Sequence, residues 1–109
     1  MASSPFNLHE PTETASLTGI TAKKSGQVVV LRINHEVQTA QATGYVTVGT
    51  LPTQYRPSQS VIFMGMDSRA TSASELPLYM RVETDGQVQW FANAARLSAG
   101  AVGNVAYII

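Results

Sequence analysis

Strict alternation on both sides of a short loop is the feature that most restricts how this chain can fold. From Leu76 to Phe91 (LPLYMRVETDGQVQWF) apolar side chains occupy every second position: Leu76, Leu78, Met80 and Val82, then Val88 and Trp90. A period of two belongs to strands with one face in a core and the other in water. Thr84-Asp85-Gly86 separates the two arms. A two-residue turn at Asp85-Gly86 would set Val82 opposite Gln89, a core residue against a polar one. A three-residue loop sets Val82 opposite Val88 and Met80 opposite Trp90, with Gly86 in the left-handed conformation that closes such loops. Only the second register keeps one face apolar. It predicts Tyr79 opposite Phe91, Arg81 opposite Gln89 and Glu83 opposite Gln87 on the outer face. An outward strand pair then carries two aromatics and a forked cation.

The rest of the chain reads as β-structure too. Residues 1–14 (MASSPFNLHEPTET) have two prolines and no period, and are taken as an N-terminal arm or linker ahead of a domain over 15–109. LTGITAKK is strand-like with a bulge expected at Gly19. In QVVVLRINHEV, Val29, Leu31 and Ile33 share one face, and Val28, Val30 and Arg32 the other. Ala42–Leu51 supplies a third strand, rich in β-branched residues. Prolines 52 and 57 keep Leu51–Ser58 out of a central strand, and Tyr55-Arg56 within it is expected to be exposed, bordering a site or anchoring the loop. Val61–Asp67 (VIFMGMD) is apolar at both parities and is expected to be buried on both faces. Arg69–Glu75 and Asn93–Gly103 read as irregular. VAYII closes the chain with Val105, Tyr107 and Ile109 on one face; Ile108, on the other, needs cover from this chain or from another copy. No segment has helical spacing. The fold class predicted is all-β, a compact antiparallel barrel or sandwich of about six to eight strands.

Composition narrows the functions. The formal net charge is zero and only 13% of the 109 residues are charged, so the basic footprint of a nucleic-acid partner is missing. No apolar run is long enough to span a bilayer, and the start does not resemble a signal peptide, so no membrane insertion is expected. With no cysteine, thiolate chemistry and disulfides are excluded. Glu83 and Asp85 flank a hairpin loop, where acids are commonly solvated turn residues. His9-Glu10 lies in the arm. His35 continues the face of Val29, Leu31 and Ile33, as a satisfied histidine at the core edge or as the end of the strand. No spacing for a metal, a phosphate loop or a nucleophile elbow occurs. No catalytic residue, metal site or cofactor is assigned, and the chain is expected not to be an enzyme.

Binding has more to build on. Aromatic rings beside fixed polar groups are how a sheet surface holds a sugar, and Tyr79, Arg81, Gln89 and Phe91 supply both. The same residues also suit an ordinary cross-strand pair or a subunit contact. Trp90 points the other way, into the core.

From about Leu17 to Ile109 the chain resembles the C-terminal head domain of lactococcal-type siphophage receptor-binding proteins. The resemblance rests on LTGITAKKSGQVVVLRI, TLPTQYRPSQSVIFMG, the strand leading into DGQVQWF, and Gly103-Asn104 ahead of NVAYII, in that order. It implies a homotrimeric β-barrel at the tail tip or baseplate of a virion, among other tail and baseplate proteins. It also implies non-catalytic adhesion to host cell-wall polysaccharide or a teichoic-acid-like glycan. The saccharide site carries over in part. The family's aromatic falls at Phe91, its histidine at Tyr79, its aspartate at Arg81, and its arginine near Val102. Exchanging an acid for a guanidinium favours a different or more anionic glycan, with Arg96 as a candidate second cation. The alternative is a structural knob or adaptor that trimerises a tail fibre and binds no glycan itself.

Overall fold

The computed structural model describes residues 12–37, 43–92 and 98–109. Arg96, and with it the suggested second cation, lies outside them, as does most of the arm. Eight antiparallel strands form one curled half-barrel sheet. They are β1 (Thr12–Leu17), β2 (Ile20–Ser25), β3 (Val28–Val37), β4 (Gly44–Thr50), β5 (Val61–Asp67), β6 (Pro77–Val82), β7 (Gln87–Ala92) and β8 (Ala99–Ile108). Their order in the sheet is β1-β2-β3-β8-β5-β6-β7-β4. The curl brings the two edges of the sheet towards each other, so that Leu17 and Ile20 lie against Gly49 of β4. A single 3-10 turn, Thr53–Tyr55, occupies the proline-flanked segment. Among the described residues no helix is long and apolar enough to cross a membrane.

Alternation builds the interior. Val29, Leu31 and Ile33 of β3, Leu78, Met80 and Val82 of β6, and Val88, Trp90 and Ala92 of β7 all point into the curl and are buried. Each large side chain removed from water contributes roughly 1.5–3 kcal/mol. Trp90 is fully buried, and its Nε1 donates to Nδ1 of His35 at 3.2 Å. His35 is therefore the satisfied histidine at the core edge, and burial holds its pKa below the usual 6.5. Gly65 of β5 and Gly103 of β8 sit over the thioether of Met80: a Cβ at either position would lie 2.5 Å from its sulfur. Tyr107 of β8 donates its hydroxyl proton to the carbonyl of Tyr55, and burial raises its phenol to about 12.

Several details differ from the sequence reading. Thr18-Gly19 is not a bulge but the turn of a β1–β2 hairpin, with Leu17 opposite Ile20, and β1 begins at Thr12 within the stretch read as an arm. Strand β8 begins at Ala99 rather than Val105, because Gly100, Ala101 and Gly103 pair with β3 despite their small side chains. Leu76 lies outside β6 and is exposed. Most consequentially, β5 is not buried on both faces: Ile62, Met64 and Met66 point outwards, Ile62 at 74% and Met64 at 59% exposure.

Asp67 ends β5 as a buried carboxylate. Its Oδ1 accepts from the backbone N–H groups of Arg69 at 2.9 Å and Gly100 at 2.8 Å, which ties the end of β5 to the start of β8. Acceptor-only side chains suit such a cluster of N–H donors.

Candidate functional site

The β6–β7 hairpin has the register that its alternation demands. Tyr79 lies opposite Phe91, Met80 opposite Trp90, Arg81 opposite Gln89 and Val82 opposite Val88. The loop closes with Glu83 N–H donating to Gln87 at 2.9 Å and Gly86 N–H to Glu83 at 2.9 Å, and Gly86 has φ of +92°. Any side chain there would be strained, and a Cβ would stand 2.7 Å from both the Leu51 carbonyl and Arg56 Nε.

Strand β4 adds what the sequence reading did not include. It pairs with β7, setting Tyr45 opposite Phe91 and Thr47 opposite Gln89. Strand β5, on the other side, sets Met64 opposite Tyr79 and Ile62 opposite Arg81. Two parallel rows thus cross the outer face of β5-β6-β7-β4. One is Met64, Tyr79, Phe91, Tyr45; the other is Ile62, Arg81, Gln89, Thr47.

The four predicted residues are together, and their polar groups are organised. Arg81 Nε donates to Gln89 Oε1 at 2.7 Å and is 2.8 Å from Glu83 Oε1. Its guanidinium carbon stands 3.5 Å from the centroid of the Tyr45 ring, a cation–π contact. Gln89 Nε2 donates in turn to Thr47 Oγ1 and Gln87 Oε1, each at 3.1 Å. Glu83 also accepts from Ser60 Oγ, so it is not a merely solvated turn acid. Tyr45 and Phe91 meet edge to face, with centroids 4.9 Å apart at 67°.

These contacts decide what each group can do. One face of Tyr45 is covered by Arg81, and Phe91 is half-buried beside it. Tyr79, 53% exposed, is the ring with most surface for a ligand. The charge of Arg81 is matched by Glu83, which leaves the guanidinium better placed as an oriented hydrogen-bond donor than as an uncompensated cation. Val102 is on β8 opposite Met66 and Asn34, with β5 between it and Tyr79. Of the two roles open to Tyr55-Arg56, the structure has the loop anchor, and Tyr55 is buried where exposure was expected: Arg56 Nε donates to the Leu51 carbonyl at 2.9 Å.

Tyr45 and Thr47 could have been flagged as the outward parity of a β-branched strand. Their partnership with β7 is non-local, however, and no local pattern predicts it. Comparison with models of known protein families and with curated protein sequences found no match.

Proposed function

We propose that this chain is a host-recognition head of a bacteriophage tail: a homotrimer at the tail tip or baseplate that binds a cell-envelope saccharide without catalysis. The observation that carries the reading is the outward row of Tyr79, Phe91 and Tyr45 beside the oriented donors of Arg81 and Gln89. A half-exposed aromatic offers its face to the C–H surface of a sugar, while guanidinium and amide groups fix hydroxyl positions. The matched charge of Arg81 argues for a neutral sugar ring at this patch. The resemblance of residues 17–109 to phage receptor-binding heads supplies the biological setting, with host cell-wall polysaccharide or a teichoic-acid-like glycan as partner.

Titration with host envelope polysaccharide, comparing the natural chain with Phe91→Ala and Arg81→Ala, tests the site. Saturable binding weakened by both substitutions supports it; saturable binding that both leave unchanged removes it.

A second reading, a trimerising knob or adaptor without glycan binding of its own, is favoured by a different observation. Ile62, Met64 and Met66 continue the same outer face, and Val28, Val30 and Ile108 are also exposed on β3 and β8. Exposed apolar side chains in such number suit contact with another copy of this chain. Binding to host envelope polysaccharide separates the two readings, and light scattering tests the trimer they share: a trimer that loses mass on Ile62→Ser with Met64→Ser assigns the face to self-association, while a monomer at micromolar concentration contradicts the trimer in both.

A further inference from the structure

Two cations outside the ion pairs of the described residues stand on the other half of the sheet. The ion pairs among the described residues are Lys24–Glu13, Arg69–Glu36 and Arg81–Glu83. Lys23 and Arg32 take part in none of them. Both are exposed on the outer face of β2 and β3, where Thr21 lies opposite Arg32 and Lys23 opposite Val30. Arg32 is also opposite Asn104 of β8, and Thr14 and Ser16 of β1 flank Lys23 and Thr21. The row Ser16, Thr21, Arg32, Asn104 therefore sets hydroxyls, a guanidinium and an amide side by side on four strands. The next row places Lys23 diagonal to Arg32.

No carboxylate stands in either row. Glu13 is at the opposite parity, beside Lys24, and Glu36 lies further along β3, engaged by Arg69. The surface is dished here. A depression of about 350 Å³ is lined by Thr21, Lys23, Val30, Arg32 and Asn104. A second, of about 330 Å³, adjoins it and shares Thr21 and Arg32. Two positive charges diagonal to each other without a counter-charge repel, and in a chain of zero net charge they make this the place where an anion is best accommodated.

We propose that Lys23, Arg32, Thr21 and Asn104 form an oxyanion-binding site for a small phosphorylated or carboxylated polar molecule, separate from the Tyr79 patch. A guanidinium presents a planar fork that matches two oxygens of a phosphate or carboxylate, and the ammonium adds a movable point charge. The hydroxyl of Thr21 and the amide of Asn104 supply neutral donors beside them. A depression of this size lies at the small end of ligand sites and holds more than the bare anion, so the carrier also fits. This inference is independent of whether the Tyr79 patch binds sugar.

The test is an amide NMR titration of the full chain with inorganic phosphate, glucose 1-phosphate, glucuronate and neutral glucose. The expected result is saturable shifts at Thr21, Arg32 and Asn104 with the anions and none with glucose. Glucose 1-phosphate binding more tightly than both inorganic phosphate and glucuronate would identify a phosphate carried on a sugar; glucuronate binding most tightly would identify a carboxylate source. Lys23→Ala with Arg32→Ala, both on the exposed face, should weaken binding about tenfold or more, as expected for loss of charge-assisted hydrogen bonds. Arg81→Ala should leave it unchanged. Absence of saturable shifts at these amides with all three anions, or shifts that persist in the double variant, would overturn the site.

Discussion

The two faces of this sheet obey different rules. On the inner face every buried polar side chain among the described residues has a hydrogen-bond partner: Trp90 donates to His35, Tyr107 to the Tyr55 carbonyl, and Asp67 accepts from two backbone amides. On the outer face the organisation is partial. Arg81 is held by Gln89, Glu83 and Tyr45, yet Tyr79 is half-exposed, Ile62 and Met64 face water, and Lys23 and Arg32 take part in no ion pair among the described residues. The exposed apolar, aromatic and cationic groups are thus gathered on the outer side of the sheet, where the proposed binding sites lie. Strand alternation makes this separation possible, since neighbouring residues serve opposite faces.

Substitutions can break this contrast, and the largest effect belongs inside. Trp90→Ala removes the largest buried side chain and strands His35; by analogy with other large-to-small core changes it should cost about 3–5 kcal/mol in urea unfolding. An effect below about 1 kcal/mol would mean that the interior is not close-packed around Trp90. Gly86→Ala comes next. It forces a side chain into a left-handed backbone and against the Leu51 carbonyl, and should cost about 1–3 kcal/mol by chemical denaturation.

The inner face also carries a pH signature. Burial favours neutral His35, so the unfolded chain binds its proton more readily than the folded one. The resulting stability is fully present above pH 6.5 and is lost as pH falls through the lowered value of the folded state. His35→Gln, which retains an acceptor for Trp90, should remove that part of the decline in a melting-temperature series. An unchanged pH profile would show that His35 does not titrate against the fold.

Outside, effects on stability shrink. Arg81→Ala deletes a partly buried pair and a cation–π contact, each a fraction of a kcal/mol to about 1 kcal/mol, so unfolding should shift by no more than about 2 kcal/mol. A larger loss would place Arg81 among the structural groups and bring the two faces closer together in kind.

The contrast was partly legible in the chain. Alternation through Leu78, Met80, Val82, Val88 and Trp90 sufficed for the hairpin, because a slip of one residue would have turned Trp90 into water. The same logic failed for β5. Ile62, Met64 and Met66 alternate with Val61, Phe63 and Gly65, and a strand apolar at both parities reads as buried whether its second face meets the core or is left exposed. Strand β8 was hidden by Gly100 and Gly103, whose missing side chains make room for Ser68 and Met80 rather than for a turn. Tyr45 joined the site through a β4–β7 pairing between strands distant in sequence. Lys23 and Arg32 are aligned with Thr21 and Asn104 by the non-local pairing of β2, β3 and β8, which no local pattern predicts.

The claim on which the functional account turns is that Tyr79, with Phe91 beside it, grips a sugar from the water-facing side of β6 and β7. Calorimetric titration of Tyr79→Ala with host envelope polysaccharide, alongside its melting temperature, addresses this most directly. The account predicts that heat of binding disappears while the melting temperature holds; full binding by a variant that melts normally would contradict it.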